Sequence, residues 1–275
     1  MNKNIFLLII SFLFCSSGYG QSFKTTFKMA LDAKDMTKAE EILKAWDYAD
    51  ANDPELYVSY FNFFTVKSLD AGVIGATGYD GKYAQKALEF ITEGIDRFPT
   101  RFDMRIAKIY MLGKLKDYPG YTSEIIKMID YSDEIKNNWK GENFTVVENP
   151  DEMFKGAVLD FQEFLFTKED TTLYKDIIRI SEEMLKYYPK DVQSRLNIST
   201  VHVAQREYSK SIETLLKAAD VEPGNSVLLY NIAYVYNLKG DKENAKKYYE
   251  LTIKHIGEKE EKLKEAAQKQ LEALK

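Results

Sequence analysis

The chain has 275 residues, with 38 Lys and Arg against 43 Asp and Glu, so its formal net charge at pH 7 is −5. Mixed charges of this kind give no basic footprint for nucleic acid and no basic amphipathic face for an anionic membrane. Its one cysteine, Cys15, and its two histidines, His202 and His255, give no disulfide framework and no paired-histidine metal motif. We therefore expect no cofactor, no metal and no nucleic acid partner.

The segment 1–20 predicts an export signal. Lys3 provides a basic start, residues 5–14 are almost entirely apolar, and the small residues Gly18 and Gly20 suit cleavage after Gly20. The apolar run is much shorter than the roughly 20 residues that span a bilayer. The sequence therefore predicts a signal peptide over 1–20, a periplasmic mature chain and no transmembrane span.

Cys15 offers an alternative interpretation of the same segment, a lipoprotein signal that leads to an outer-membrane anchor. Such signals resemble Leu-x-(Gly/Ala/Ser)-Cys, because a small residue precedes the cysteine that becomes lipid-modified. Here Phe14 occupies that place. A departure in so short a motif favours the soluble periplasmic form over a lipoprotein attached through Cys15.

Helical periodicity begins soon after the predicted cleavage site. Ala39, Leu43 and Trp46 recur at helical spacing, and Pro54 suits the first turn of the following helix. Further along, residues 87–99 have the spacing small-x3-large-x2-small-x4-Pro that is expected of the second helix of a pair. The pattern indicates helices packed in antiparallel pairs.

Two further pairs are predicted before residue 190. Residues 102–115 and 122–139 form the first, joined by a turn at Tyr118-Pro119-Gly120, and residues 151–166 and 171–188 form the second. Apolar residues in each segment repeat with a period near 3.6, whereas no segment shows the strict alternation of a strand. We therefore expect no β-sheet.

Two stretches interrupt the helices. Residues 69–82 carry four glycines, and residues 137–150 are polar. The first stretch is not a phosphate-binding loop, because Tyr83 rather than Ser or Thr follows Lys82. Both are long connections of the sort that carry function or flexibility.

The clearest repeats lie over 192–225 and 226–257. Pro189 and Pro223 recur at a spacing of about 34 residues, and the segment that each proline closes has the pattern of a helix, a short turn and a second helix. Small residues are expected where the paired helices approach most closely, and large ones between them. The small set is Ser199, Ser211, Ala233 and Ala245, and the large set is Leu215, Ile232, Tyr236 and Tyr249.

This pattern resembles the tetratricopeptide repeat, and in particular the exported tetratricopeptide proteins of Gram-negative bacteria. The resemblance implies an all-α fold over residues 21–275. It would be a right-handed α-α superhelix of about six helix pairs, capped by the amphipathic segment at the C-terminus. It also implies a non-enzymatic scaffold or adaptor, whose concave groove is lined by the first helix of each pair and holds a protein or peptide partner.

The resemblance also indicates which side chains face that partner. Asparagine amides could bind a peptide backbone, and tyrosine rings could contact its side chains. Val227 and Asn231 stand where the carboxylate-binding subtype has a basic pair, which argues against capture of a C-terminal carboxylate. The predicted partner-binding residues are Gln193, Leu196, Asn197, Thr200, Val227, Tyr230, Asn231, Tyr234 and Asn237.

Other functions have weaker support in the sequence. Carboxylate pairs such as Glu182-Glu183 are adjacent and so point to different helix faces, which does not suit acid–base catalysis. His202 occupies a core position of the repeat, where a packed and hydrogen-bonded histidine is expected. The chain holds 19 tyrosines and 16 phenylalanines. A glycan- or small-ligand-binding envelope protein, with aromatic platforms such as the Tyr57–Phe64 cluster, is therefore the alternative.

Overall fold

A computed structural model describes residues 22–70, 78–257 and 260–274. The predicted signal peptide and Cys15 lie outside the described residues, as does half of the glycine-rich stretch (71–77). The helices are α1 (22–32), α2 (Met36–Ala49), α3 (Pro54–Asp70), α4 (Gly81–Arg97), α5 (Phe102–Lys114), α6 (Tyr118–Glu134), α7 (Pro150–Phe166), α8 (Tyr174–Tyr187), α9 (Val192–Ala204), α10 (Tyr208–Val221), α11 (Ser226–Lys239), α12 (Lys242–His255) and α13 (Glu261–Ala273).

Consecutive helices form six pairs, from α1 with α2 to α11 with α12, and α13 follows the last pair. The part of the chain that the structure describes has no β-strand, only single bridges that join Lys140 to Arg101 and to Val146. The predicted all-α fold of six helix pairs and a final helix is therefore confirmed. The chain forms two compact units, the first extending to Glu152 and the second beginning at Met153.

Short polar side chains define where many of the helices begin. A carboxylate or amide oxygen just before the helix accepts a hydrogen bond from a backbone amide in the first turn, where no intrahelical partner exists. Helices α2, α4, α6, α9, α11 and α12 share this cap. Their capping residues are Asp35, Asp80, Asp117, Asp191, Asn225 and Asp241.

The predicted turn at 118–120 is wrong, because these residues form the first turn of α6. Pro119 is tolerated there, since the amide it lacks would have no partner within the helix. The chain reverses instead at Lys116, which has a φ of 60°. The helix also ends earlier than predicted, because Lys136 and then Asn137 adopt left-handed conformations, and Trp139 lies beyond the helix end.

In the first unit, a buried ion cluster joins separate segments. Arg101 is fully buried, and its guanidinium contacts Glu55 of α3 at 2.7 Å and Asp103 at 2.7 Å. Lys24 of α1 contacts Glu55 at 2.6 Å and also pairs with Glu142 in the connection between α6 and α7. The cluster therefore ties that polar connection to the helical core.

In the second unit, the small residues lie where the sequence predicts them. Ala233 and Ala245 are fully buried between α11 and α12, and the Ser199 and Ser211 hydroxyls hydrogen-bond at 2.7 Å between α9 and α10. Close contact between helix axes requires such residues. The predicted helix register of the two repeats is therefore confirmed.

Candidate partner-binding face

Helix α11 exposes an apolar stripe. Val227, Tyr234 and Leu238 are 45%, 40% and 38% exposed, although most of the other large apolar residues of this helix are buried. Together with Asn231 they lie at positions i, i+4, i+7 and i+11, a spacing that places them on one face of a helix. We call these four residues the α11 stripe.

The first helices of the two repeats carry almost no charge. In α9 and α11 as described, the Lys and Arg residues are Arg195 and Lys239, and neither helix contains Asp or Glu. Arg195 folds back, since its guanidinium donates to the carbonyls of Pro189 at 2.6 Å and Asp191 at 3.1 Å. In contrast, α12 carries Lys242, Glu243, Lys246, Lys247, Glu250 and Lys254. The α11 stripe is therefore an uncharged surface on a highly charged chain.

Two tyrosine rings pack against each other between α11, which carries the stripe, and α12. Tyr249 of α12 is fully buried, and its ring packs edge-on against Tyr230 with the centroids 5.5 Å apart. Burial raises the pKa of the Tyr249 phenol to about 12 and also raises the pKa of Tyr230. Both phenols are therefore neutral near physiological pH. The Asn237 side chain approaches the Tyr249 hydroxyl, but no described group lies in hydrogen-bonding geometry with it.

Side-chain amides form a ladder that joins α7 and α9. Asn197, predicted to face a partner, is instead 6% exposed. Its amide nitrogen donates to Gln162 at 2.9 Å, and its amide oxygen accepts from Gln193 at 3.0 Å. Gln162 in turn donates to the Ser181 hydroxyl at 2.6 Å. The nitrogen and the oxygen of the Asn197 amide thus each have a hydrogen-bond partner within the protein.

Asn231 is the equivalent of Asn197 in the following repeat. Its side chain is half-buried and makes no hydrogen bond with another described residue. An amide in such a position still has its donors and its acceptor available. Asn231 can therefore bind an external group, whereas Asn197 is buried and its amide already takes part in the ladder.

The remaining predicted residues are distributed along the same two helices. Gln193 and Thr200 are exposed on α9, and the Thr200 hydroxyl donates to the Leu196 carbonyl at 2.9 Å. Leu196 is half-buried and packs against the core that α10 and α11 share. Asn237 is half-buried on α11. Each helix thus contributes two exposed residues to the predicted face, Gln193 and Thr200 from α9, and Val227 and Tyr234 from α11.

A cavity of about 190 Å³ lies between α7 and α9 in the second unit. Val158, Leu159 and Met184 form its apolar surface, and Gln162 and Gln193 of the amide ladder also line it. Lys155, Gly156, Asp191 and Ser194 complete the lining. The cavity is accessible from solvent and is adjacent to the predicted face.

Sequence reasoning missed two members of this region, Leu238 and Gln162. Leu238 lies one helical turn after Tyr234, so helical spacing alone could have added it to the stripe. Gln162 precedes Asn197 by 35 positions, close to the repeat period. The helix pair that contains Gln162 matches the repeat pattern poorly. The equivalence of Gln162 and Asn197 is therefore difficult to recognise from the sequence.

The aromatic residues of the first unit mainly contact one another. Tyr57, Phe61 and Phe63 are buried. Tyr60 stacks on Phe90 with centroids 4.1 Å apart, and the nearly parallel Phe64 ring lies 5.5 Å from Phe90. The rings of this predicted platform therefore belong to the cores that α3 shares with α4 on one side and with α1 and α2 on the other. This finding gives no support to the glycan-binding alternative.

The histidine and the carboxylates of the described residues can be compared with what a metal site requires. His202 is half-buried, and its Nδ1 lies 2.8 Å from a Glu207 carboxylate oxygen, in keeping with a packed and hydrogen-bonded histidine. Among residues 22–70, 78–257 and 260–274, no group of three or more His, Cys, Asp or Glu could hold a metal ion. No helix in this part of the chain is long and apolar enough to cross a membrane.

Solved structures that resemble the chain are tetratricopeptide repeat proteins. YrrB, described as a TPR protein with an unusual peptide-binding site, is 13% identical, with 82% of this chain and 97% of YrrB covered and a TM-score of 0.43. A tetratricopeptide repeat protein from Parabacteroides merdae is 16% identical over 86% of this chain and 80% of its own, with a TM-score of 0.39.

A third similar structure is the C-terminal part of a TPR repeat-containing protein from Cytophaga hutchinsonii. It is 12% identical over 84% of this chain and 78% of its own, with a TM-score of 0.44. No protein-family profile and no curated protein sequence matches the chain. Similarities at this level give no information about a ligand.

Proposed function

We propose that this protein is a non-enzymatic scaffold that binds an uncharged, apolar polypeptide segment on the face formed by α9 and α11. The observation that carries the proposal is the α11 stripe, where Val227, Tyr234 and Leu238 stay exposed on a helix with almost no charge. Exposed aromatic and aliphatic side chains next to a free amide are typical of a protein interface. The Asn231 amide would bind the partner's backbone.

The charge distribution also indicates the kind of partner. A segment rich in Asp, Glu, Lys or Arg would lose hydration on this face without gaining an opposite charge. A neutral segment has no such cost, and its apolar side chains gain from leaving water. We therefore expect binding that changes little with salt concentration, because screening acts on interactions between charges.

Selection from a random peptide library on the full chain, followed by affinity measurements, tests the proposal. Selected peptides should be apolar and neutral. The double variant Asn231→Ala with Tyr234→Ala should weaken their binding by more than about 1 kcal/mol, as expected of an interface hot spot. Both residues are at least partly exposed, so each truncation should change stability by no more than about 0.5 kcal/mol.

The matched control is Lys246→Ala with Glu250→Ala, which truncates two exposed residues of α12. These residues lie outside the α11 stripe, so the control should bind like the wild type. Selected peptides that are highly charged and lose affinity in high salt would contradict the proposal. So would normal binding by the Asn231→Ala and Tyr234→Ala variant.

We also propose that the chain acts after export, as a periplasmic protein whose mature form begins at Gln21. Support comes from the basic start, apolar run and small residues within 1–20. Intact-mass measurement on cell-envelope fractions should find a chain that begins at Gln21. A chain that begins at Cys15 and carries acyl groups would instead establish a lipoprotein.

A further inference from the structure

We propose that the cavity between α7 and α9 is an anchor pocket for one uncharged apolar side chain of the bound polypeptide. The inference deepens the proposed function and rests on it. The two sites would have different roles. The α11 stripe is an open surface for the polypeptide segment, whereas the cavity can surround one of its side chains. Its size, its lining and its rim each support this assignment.

The volume limits what can enter. Pockets that hold cofactors and drug-sized ligands occupy roughly 300–1,000 Å³. The cavity of about 190 Å³ is smaller than that range. It is nevertheless the equivalent of several water molecules, each of which takes about 30 Å³ in the liquid. A single aliphatic or thioether side chain matches this space.

The lining selects an apolar guest. Val158 and Met184 are almost fully buried and provide an apolar floor. Gln162 is also buried, but its amide donates to the Ile177 carbonyl and the Ser181 hydroxyl and accepts from Asn197. Its hydrogen-bonding groups are therefore engaged within the protein. A polar guest would have to lose water without gaining these partners, which costs free energy.

The charges at the rim are also engaged. A carboxylate oxygen of Asp191 accepts from the Ser194 amide at 2.8 Å as the cap of α9. The Lys155 ammonium lies 4.9 Å from the centre of the Tyr188 ring, a cation–π contact. Each group thus already has a partner within the protein. The rim carries one negative and one positive charge, so it has no net charge that would select a charged side chain.

Gly156 is the position at which the cavity can be blocked by substitution. It lines the cavity, and a Cβ atom built at this position meets no heavy atom within 4 Å. A larger side chain therefore has room at its Cβ, and because Gly156 lines the cavity we expect that side chain to occupy part of it. Ala in place of Gly favours the helix while leaving the cavity open. Gly156→Phe and Gly156→Ala form a matched pair of blocked and open variants.

The test uses capped amino acids as probes and nuclear magnetic resonance of the full chain labelled with ¹⁵N. N-acetyl-leucinamide should shift the backbone resonances of Gly156, Leu159 and Gln193 in a saturable manner, whereas N-acetyl-glycinamide should not. Gly156→Ala should keep these shifts and Gly156→Phe should lose them. Gly156→Leu is the second blocking variant if the Phe variant loses its dispersed spectrum.

Equal shifts from both probes, or undiminished shifts in the blocked variants, would overturn the anchor pocket. The absence of any saturable shift at the cavity would also overturn it. Shifts confined to Val227, Tyr234 and Leu238 would overturn the pocket while leaving the proposed function intact. The proposed function is decided separately, by whether the Asn231→Ala and Tyr234→Ala variant loses selected peptides.

Discussion

Replacing Tyr249 with alanine should lower the free energy of unfolding by about 3–5 kcal/mol, the range found when large aromatic residues are removed from protein cores. The Tyr249 ring of α12 is fully buried and packs against Tyr230 of α11. Its loss leaves a cavity between α11 and α12 that these helices can close only in part. Urea denaturation of the full chain and the variant measures the difference.

Tyr249→Phe is the informative control, because it removes only the hydroxyl. That hydroxyl is buried without a hydrogen-bond partner among the described residues. A buried polar group in this condition costs about 1–3 kcal/mol. The Phe variant should therefore be at least as stable as the wild type. A loss as large as that of Tyr249→Ala would show that the phenol has a partner, with the nearby Asn237 amide the first to test, and would contradict this account of the core.

Replacing Arg101 with leucine should lower the free energy of unfolding by about 3–5 kcal/mol, as expected when one partner of a buried ion pair is removed. The guanidinium is fully buried and lies 2.7 Å from Glu55, which is itself 5% exposed. Removing it leaves a buried carboxylate with Lys24 as its remaining cation. Calorimetry or denaturant titration measures the loss.

The effect of Arg101→Leu should depend on pH. Burial alone would raise the pKa of Glu55, but the hydrogen bond from Lys24 and the charge of Arg101 outweigh it and lower the pKa. A lowered folded pKa contributes stability that is fully present above the ordinary glutamate value of about 4.3. This contribution is lost as pH falls through the lower folded pKa. The difference between wild type and variant should therefore be largest near neutral pH and narrow in acid.

Arg97→Leu provides the comparison within the same unit. Arg97 pairs with Glu93 at 2.8 Å, but the two side chains are 44% and 49% exposed. Exposed pairs of this kind contribute about 1 kcal/mol or less. Equal losses for Arg97→Leu and Arg101→Leu, or a loss at Arg101 that does not change with pH, would contradict the proposed role of the buried cluster.

Much of the fold could be predicted because each repeat carries its packing pattern in its own residues. Ser199, Ser211, Ala233 and Ala245 are small at the positions where two helices meet, and the structure places them there. Tyr249 also lies in the core as predicted. Tyr236 does so only in part, because it is half-buried and stacks on Tyr248 with centroids 5.6 Å apart.

The turn before α6 could not be predicted from Pro119 and Gly120 alone. Both residues are common in turns, but Pro also fits the first turn of a helix. What decides between the two is the cap, since an Asp117 carboxylate oxygen accepts from the Gly120 amide at 3.0 Å. The presence of Pro119 and Gly120 in the sequence does not show whether this hydrogen bond forms.

The candidate site was harder to predict because exposure depends on neighbouring helices. Asn197 and Asn231 occupy the same position in successive repeats. Asn197 is buried because Gln162 of the preceding pair reaches its amide, whereas Asn231 has no such bond among the described residues. The difference in hydrogen bonding depends on which side chain of the preceding helix pair lies next to each asparagine. The repeat pattern does not specify that side chain.

Photo-crosslinking in cells that express the full chain tests most directly whether the α11 stripe binds a polypeptide. The photoreactive p-benzoylphenylalanine would replace Tyr234 in one variant and Lys246 of α12 in the other, and both positions are exposed. We expect a discrete polypeptide adduct from position 234 and none from position 246. Equal adducts from both positions, or none from position 234, would contradict binding on this face.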